Sequence, residues 1–483
     1  MRLSVGKMFR NLMIGFMVMG FSSLAGAHVG AHLIEGEATI VTIKLKDQKM
    51  GLRYLISEGY DIAGVDVENG TVDVVVGSHV KSRLMKAGLG DVQAQKAIDP
   101  SVAPDAQYTT YDELTTLLRG YASRYPEIVS VQSIGKSLEG RDIWAVKISD
   151  NVAMDEDEPV AFFNAMHHAR EVMTTEVAID IVEQLTSGYA KNPKVQKWVN
   201  DNAIWIVPMV NPDGSQKVWT ANNMWRKNTR GGYGVDINRN YPYAWGSCNG
   251  SSGSTSSDAY RGPSAGSEPE TQAMMGLVAQ IKPVLSISYH SYSELVLYPF
   301  SCEGEYTPDH QTIETLGRQL ASRLPKDGSP GTYTPGTSWE ILYAVDGGDI
   351  DWYYNEHQVL PYVIEVSSSQ QGFQPPYSWR QRTVEKNRAG WGFMLDRLST
   401  SGIRARVSID SKAASSGMVT VTPSHQDGRI VTEPGRVYSV KPDGSFHIVL
   451  DPGMYRISLT VDGRYDEREV IVGSDREDLL FDL

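Results

Sequence analysis

At 483 residues and 41% apolar, the chain has enough material for real cores and for two to four domains. A net charge of −13 argues against a nucleic-acid-binding surface, which should be basic. Past the N-terminus, no segment is long and apolar enough to suggest a membrane span.

In chain order, Arg2, Lys7 and Arg10 come first, then an apolar run from Leu12 to Phe21 and a small-residue site at Ala25-Gly26-Ala27. This pattern predicts a secretory signal peptide over residues 1–27 and a mature chain that is secreted or periplasmic. No cysteine lies near the cut, so no lipid anchor is expected. The two cysteines, Cys248 and Cys302, are candidates for a disulfide in such a compartment.

Residues 38–46 alternate like a strand, and Gln48 to Gly59 reads as a helix. Val65 to Val76 reads as a hairpin around Asn69-Gly70, Ser78 to Leu89 as a second helix, and Asp91 to Ala94 as a last strand. The order βαββαβ is the ferredoxin-like pattern, so 28–104 is expected to be a small α+β domain and a candidate pro-segment. A linker between Ala97 and Tyr108, with Pro100 and Pro104, is a plausible place for a maturation cut.

From 105 to 400, buried-strand patterns alternate with helices: Val160 to Met166, Ala203 to Val210, Val284 to Tyr289 and Tyr362 to Val366 among the strands. That alternation predicts an α/β sheet flanked by helices. From 401 to 483, short strands separated by Asp427-Gly428, Asp443-Gly444 and Asp462-Gly463 predict a small β-sandwich.

His168-Ala169-Arg170-Glu171 follows the first of those buried strands and holds an imidazole and a carboxylate three residues apart. Alone the pair is weak evidence. His290 at the end of another apolar strand supplies a third donor, and His-Glu-His is a set that catalytic zinc accepts, with a fourth position open to water. Glu365 sits at the end of a further buried strand, where an ionisable group costs free energy unless it has a partner or a task.

The stretch from Tyr108 to Leu398 resembles the funnel-type zinc metallocarboxypeptidases, the carboxypeptidase A/B family. The resemblance rests on Ile134 to Arg141, His168 to Glu171, Asn211-Pro212-Asp213-Gly214 and Trp225-Arg226-Lys227. It continues through Gly234 to Asn240, Ser267 to Thr271, His290-Ser291-Tyr292, Tyr343 ahead of Gly347-Gly348, and Ile364-Glu365. It implies a carboxypeptidase-like α/β fold with a mixed, eight-stranded-type sheet, and one Zn²⁺ held by His168, Glu171 and His290. It implies that Glu365 is the general base toward a zinc-bound water and that Arg226 stabilises the oxyanion. Asn238, Arg239 and Tyr343 match the residues that bind the substrate's free C-terminal carboxylate. Arg170 and Tyr292 match residues along the approach, and Asp236 the carboxylate that orients a zinc-ligating histidine. Ile350 matches the base of the specificity pocket and implies apolar or aromatic C-terminal residues, although Asp346 and Asp349 lie nearby and could accept a basic side chain. The 401–483 region, with Asp451 to Tyr455, looks like the transthyretin-like domain of another branch of the family.

The expected partner is therefore a peptide or protein with a free C-terminal carboxylate, and neither nucleic acid nor a membrane. Two other readings stand beside it: hydrolysis of cell-wall peptides or small acyl amides on the same scaffold, and a non-catalytic binding module with a decayed site. The oligomeric state is open.

Overall fold

The computed structural model describes residues 38–426, 429–430 and 434–483. The signal-peptide stretch and the Asp427-Gly428 turn lie outside the described residues.

The N-terminal unit runs β1 (Ala38–Leu45), α1 (Gln48–Ser57), β2 (Asp61–Asp66), β3 (Thr71–Gly77), α2 (Ser78–Lys86) and β4 (Gly90–Ile98). Its sheet has the order β2-β3-β1-β4, antiparallel throughout. β4 extends four residues past the Ala94 expected from sequence and takes in the start of the expected linker. It is an edge strand with mostly exposed side chains, so its pairing with β1 leaves no apolar alternation to read.

The central unit opens on α3 (Tyr111–Arg124), whose start carries a capping box between Thr110 and Glu113. Then come β5 (Val129–Lys136), β6 (Asp142–Ile148), β7 (Val160–Ala165), α4 (Val172–Gly188), α5 (Pro193–Asp201), β8 (Ala203–Val207) and α6 (Pro212–Thr220). After a long loop follow α7 (Pro269–Ile281), β9 (Leu285–Ser291), β10 (Leu295–Tyr298), α8 (His310–Ala321), β11 (Thr334–Thr337), α9 (Ser338–Ile341), α10 (Asp349–His357), β12 (Leu360–Val366) and α11 (Arg380–Leu398). The eight strands form one mixed sheet in the order β11-β10-β12-β9-β7-β8-β6-β5.

Its centre is the parallel set β12-β9-β7-β8, buried on both faces and mostly apolar, with Ser286, Ser288, His290 and Ser291 as polar groups along β9. One face packs on α4 and α11, and α4 is buried almost all round because it lies between the sheet and α11. Arg388 and Arg380 of α11 pair with Asp180 and Glu176 of α4 and so fix the two helices to each other. The other face carries a second cluster with α7 and α10.

The C-terminal unit has two sheets around one apolar core. β13 (Gly402–Ile409) pairs with β14 (Lys412–Ala413), β18 (Ser445–Val449) and β21 (Arg476–Asp482), and β15 (Met418–Gln426) pairs with β16 (Arg429–Ile430), β17 (Arg436–Ser439) and β19 (Gly453–Val461), with β20 (Arg464–Val472) outside β19. It is tied to the central unit by charge. Arg404, Arg406 and His447 surround Asp157, and Arg436 pairs with Asp309 at 2.7 Å.

Candidate active site

β12, β9 and β7 are adjacent and parallel, so their C-terminal ends lie on one edge of the sheet, where open α/β sheets place their sites. The register puts Glu365 directly beside His290. Beyond β7 the chain turns at Met166, with φ of 59°, and this returns residues 167–171 over the strand ends.

His168 Nδ1 lies 2.7 Å from Glu171 Oε1 and 3.1 Å from His290 Nδ1, which is itself 3.1 Å from Glu171 Oε2. All three side chains are buried. His168 donates Nε2–H to Asp236 Oδ1 at 3.2 Å, which leaves the Nδ1 lone pair aimed at its neighbours. Two imidazole nitrogens and a carboxylate converging in this way repel one another unless a cation or proton lies among them. The donor set is the one zinc takes. Burial holds the His168 imidazole below its usual pKa, helped by Arg226, which favours the neutral form that ligates metal. Burial opposes ionisation of Glu171, but His168 and His290 outweigh it and hold its carboxyl below the usual range.

Asp236 is fully buried and spans two partners. Besides receiving the His168 bond, its Oδ2 accepts from Arg226 Nε and Nη2 at 3.0 and 2.9 Å. It is therefore no surface aspartate. Arg226 Nη1 stands 3.9 Å from Glu171 Oε1, so its guanidinium is fixed at the border of the cluster. His167 points away from the cluster, its Nε2 3.0 Å from Tyr241 Oη. Burial drives its pKa down to about 4. The Glu365 carboxyl is pushed up to about 7, chiefly by burial, with His290 opposing and Glu171 adding to the rise.

The remaining sequence-derived residues fall on the same cavity or at its mouth. Asn238, Arg239, Tyr343, Ile350 and Glu365 line one cavity with His168, Glu171 and His290. Arg239 donates Nε to Gly250 O at 3.0 Å and Nη1 to Asn238 O at 2.8 Å. Gly250 belongs to the Ser/Gly-rich loop, which the Cys248–Cys302 disulfide ties down with a Cα–Cα distance of 5.7 Å. A Cβ on Gly250 would sit 2.5 Å from the Val345 backbone, so only glycine allows this approach. Leu297, Leu342, Val345, Ile350 and Val363 form the apolar part of the cavity wall, with Ser301, Ser338 and Asp349 beside them.

Asp346 accepts from the backbone N–H of Cys248 and of Gly250 at 3.1 and 3.0 Å, and Asp349 from Ile350 N–H at 2.9 Å. Asp346 thereby anchors the loop, whereas Asp349 Oδ2 has no hydrogen-bond partner among the described residues and Asp349 lines the cavity.

Arg170 and Tyr292 both meet the N-terminal unit, and Tyr292 also lines the cavity. Arg170 forms a bidentate pair with Asp61 of β2 at 2.6 and 2.7 Å, and both side chains are buried. Tyr292 donates its hydroxyl to Asp73 of β3 at 2.9 Å. Asp61 and Asp73 went unnoticed in the sequence. Asp73 is a lone carboxylate inside an apolar strand, whereas Asp61 opens a strand that ends in Asp66, and neither position names its partner.

The zinc carboxypeptidase family model matches residues 114–390, more than half the chain. A zinc carboxypeptidase of Saccharothrix mutabilis subsp. capreolus is 35% identical over 292 residues, 56% of this chain and 64% of that protein; the chain thus spans just under two thirds of it. Carboxypeptidase B of the crayfish Astacus astacus is 33% identical over 271 residues, 54% of this chain and 86% of that one. Among solved structures, carboxypeptidase A from Helicoverpa armigera shares the fold, with a TM-score of 0.64 at 24% identity over 75% of this chain and 97% of that one. With the donor cluster of His168, Glu171 and His290 as its zinc site, the chain belongs to the zinc carboxypeptidase family of peptidases.

Proposed function

We propose that this protein is a secreted carboxypeptidase that removes apolar or aromatic residues from the C-termini of peptides and proteins. The observation that carries this is the shared cavity. Asn238, Arg239 and Tyr343, suited to a carboxylate, lie on the same small chamber as the zinc-ligating set and Glu365.

Zinc, when bound by His168, Glu171 and His290, supplies Lewis acidity and lowers the pKa of a ligated water. The rest is the work of the chain. Asn238, Arg239 and Tyr343 hold the terminal carboxylate, and the last side chain enters the wall of Leu297, Leu342, Val345, Ile350 and Val363. With one residue seated, the scissile carbonyl lies toward Arg226. Its guanidinium, fixed by Asp236, meets the charge that develops on the carbonyl oxygen. Glu365 removes a proton from the attacking water and delivers it to the leaving amine. The apolar side chains around Ile350 are what favour an apolar over a basic C-terminal residue. Replacing Glu365→Gln should leave zinc content intact and lower kcat by about 10²- to 10⁴-fold. Loss of the metal with the activity would instead make Glu365 a structural residue.

In this reading the N-terminal unit is a ferredoxin-like pro-segment that inhibits the enzyme. Ile62, Ala63 and Gly64 of β2 line the same cavity as the zinc set, and a Cβ on Gly64 would come 2.4 Å from the Tyr292 ring. The intact chain should therefore be far less active than one freed of residues 28–104, and equal activity would remove the inhibitory role. The C-terminal unit is a transthyretin-like domain that clamps the catalytic domain through Asp157 and Asp309, and none of its described residues lines the cavity. The Cys248–Cys302 bond fits the oxidising compartment that a signal peptide implies.

A further inference from the structure

We propose that the chain is matured by an endopeptidase selective for aliphatic residues, which uses Val102 as its anchor, and not by a trypsin-type enzyme. The proposal rests on reading the N-terminal unit as a pro-segment and adds the site and the chemistry of the activating partner.

Between the end of β4 at Ile98 and the Thr110 cap of α3, residues 99–109 carry neither strand nor helix. Within them Ser101, Val102 and Ala103 are exposed. They lie between Pro100 and Pro104, whose side chains are buried. Val102 is 58% exposed and is the one large aliphatic side chain offered to solvent along this connection. Prolines bar two of the neighbouring bonds. Asp99–Pro100 and Ala103–Pro104 are imide bonds without an N–H, and their ring restricts the preceding residue.

The anchoring on either side differs. Asn223 holds the near side: its Nδ2 donates to Asp99 O at 3.0 Å and Val102 O at 2.6 Å, and its N–H to Pro100 O at 2.8 Å. The far side belongs to the catalytic unit, since Asp105 Oδ2 accepts from Tyr377 N–H at 3.1 Å and Tyr108 donates its hydroxyl to Pro375 O at 2.9 Å. Asn223 also belongs to the catalytic unit, so both sides of Val102 are held by that unit, and a cut there frees the N-terminal unit once the Asn223 bonds open.

The sequence also says which enzyme cannot do this. No Lys or Arg occurs between Lys96 and Arg119. Lys96 itself is paired across from Ile40 within the sheet, and Arg119 lies inside α3. A protease whose specificity pocket carries a carboxylate for Lys or Arg has nothing to hold in the connection, whereas a small apolar pocket can take Val102. In the cut, water adds across one peptide bond, giving a carboxylate on the upstream fragment and a new α-amino group on the catalytic fragment. Opening of the Asn223 clamp precedes it, so the rate follows the local opening equilibrium.

The test uses the full zinc-loaded chain with elastase, thermolysin and trypsin in parallel, read by N-terminal sequencing of the large fragment. Elastase and thermolysin should give a fragment starting at Val102 or Ala103, and trypsin none starting between 97 and 119. Val102→Asp should slow the first two at least about tenfold at this site. Val102→Arg should make trypsin release a fragment starting at Ala103, and Asn223→Ala should speed elastase. Tryptic release at Lys96 in the natural chain, or elastase and thermolysin cutting elsewhere with 101–103 intact, would overturn the assignment. A cut at Val102 that leaves activity unchanged would overturn the pro-segment reading while the cleavage site itself stood.

Discussion

His168 is held by two carboxylates at once, Glu171 beside Nδ1 and Asp236 beyond Nε2. The second bond fixes the tautomer, and without it the imidazole can turn its protonated nitrogen toward the metal. Asp236→Asn is thus expected to weaken zinc binding about 10- to 100-fold, measured by competition with a chelator of known affinity. Unchanged affinity would leave Asp236 only the task of fixing Arg226. Arg226, Asp236, Asn238, Arg239 and Tyr343 came from the family resemblance. His168, Glu171, His290 and Glu365 were readable from residue types and position, because metal ligation admits few side chains and a buried carboxylate stands out. Asp61 and Asp73 were not, because what matters about each is a partner more than a hundred residues away.

Two elements carry the local logic. β2 brings Asp61 to Arg170, and removing one partner of a buried pair costs about 3–5 kcal/mol, or roughly two to nearly four powers of ten in docking. Asp61→Asn in the uncut chain should therefore raise its activity toward that of the cut enzyme. If the uncut variant stayed as inactive as its parent, the Asp61–Arg170 pair would have no part in inhibition. The loop around Gly250 is the other element. It holds Arg239 through the Gly250 carbonyl and is pinned by the disulfide and Asp346. Cys248→Ser with Cys302→Ser should raise KM more than it lowers kcat, since the carboxylate contact loosens while Glu365 and the zinc set stay in place. A loss confined to kcat would contradict that division. Strands with a buried face were legible from their patterns. β15 and β21 were not, since Pro423 interrupts one and charged residues open the other, and both are recruited by partners rather than by their own alternation.

At the scale of the molecule, three units share one chain, and their contacts combine apolar clusters with buried or half-buried charge pairs. Burial opposes ionisation of Asp157, but His447, Arg406 and Arg404 outweigh it and hold its carboxyl below the usual range. A depressed carboxylate contributes stability that is complete above about pH 4 and is lost as the pH falls below that value toward the folded pKa. Asp157→Asn should flatten the acid side of a stability–pH curve, followed by thermal melting between about pH 5 and 2. An unchanged slope would mean that the C-terminal domain is held by its apolar contacts alone. The order of the units could be read from turn signals and strand patterns. How the first unit covers the cleft could not, because it depends on the shape of two surfaces that form only after folding.

The central claim is exopeptidase chemistry that depends on zinc and on a free terminal carboxylate. It is tested most directly by digesting matched peptides, with free or amidated C-termini and ending in Phe, Leu, Lys or Arg, with the cut enzyme before and after zinc removal. The account predicts fast, zinc-dependent release of Phe and Leu from free termini and almost none from amidated ones. Amidated peptides cut as fast as free ones, or cleavage that survives removal of the metal, would contradict it.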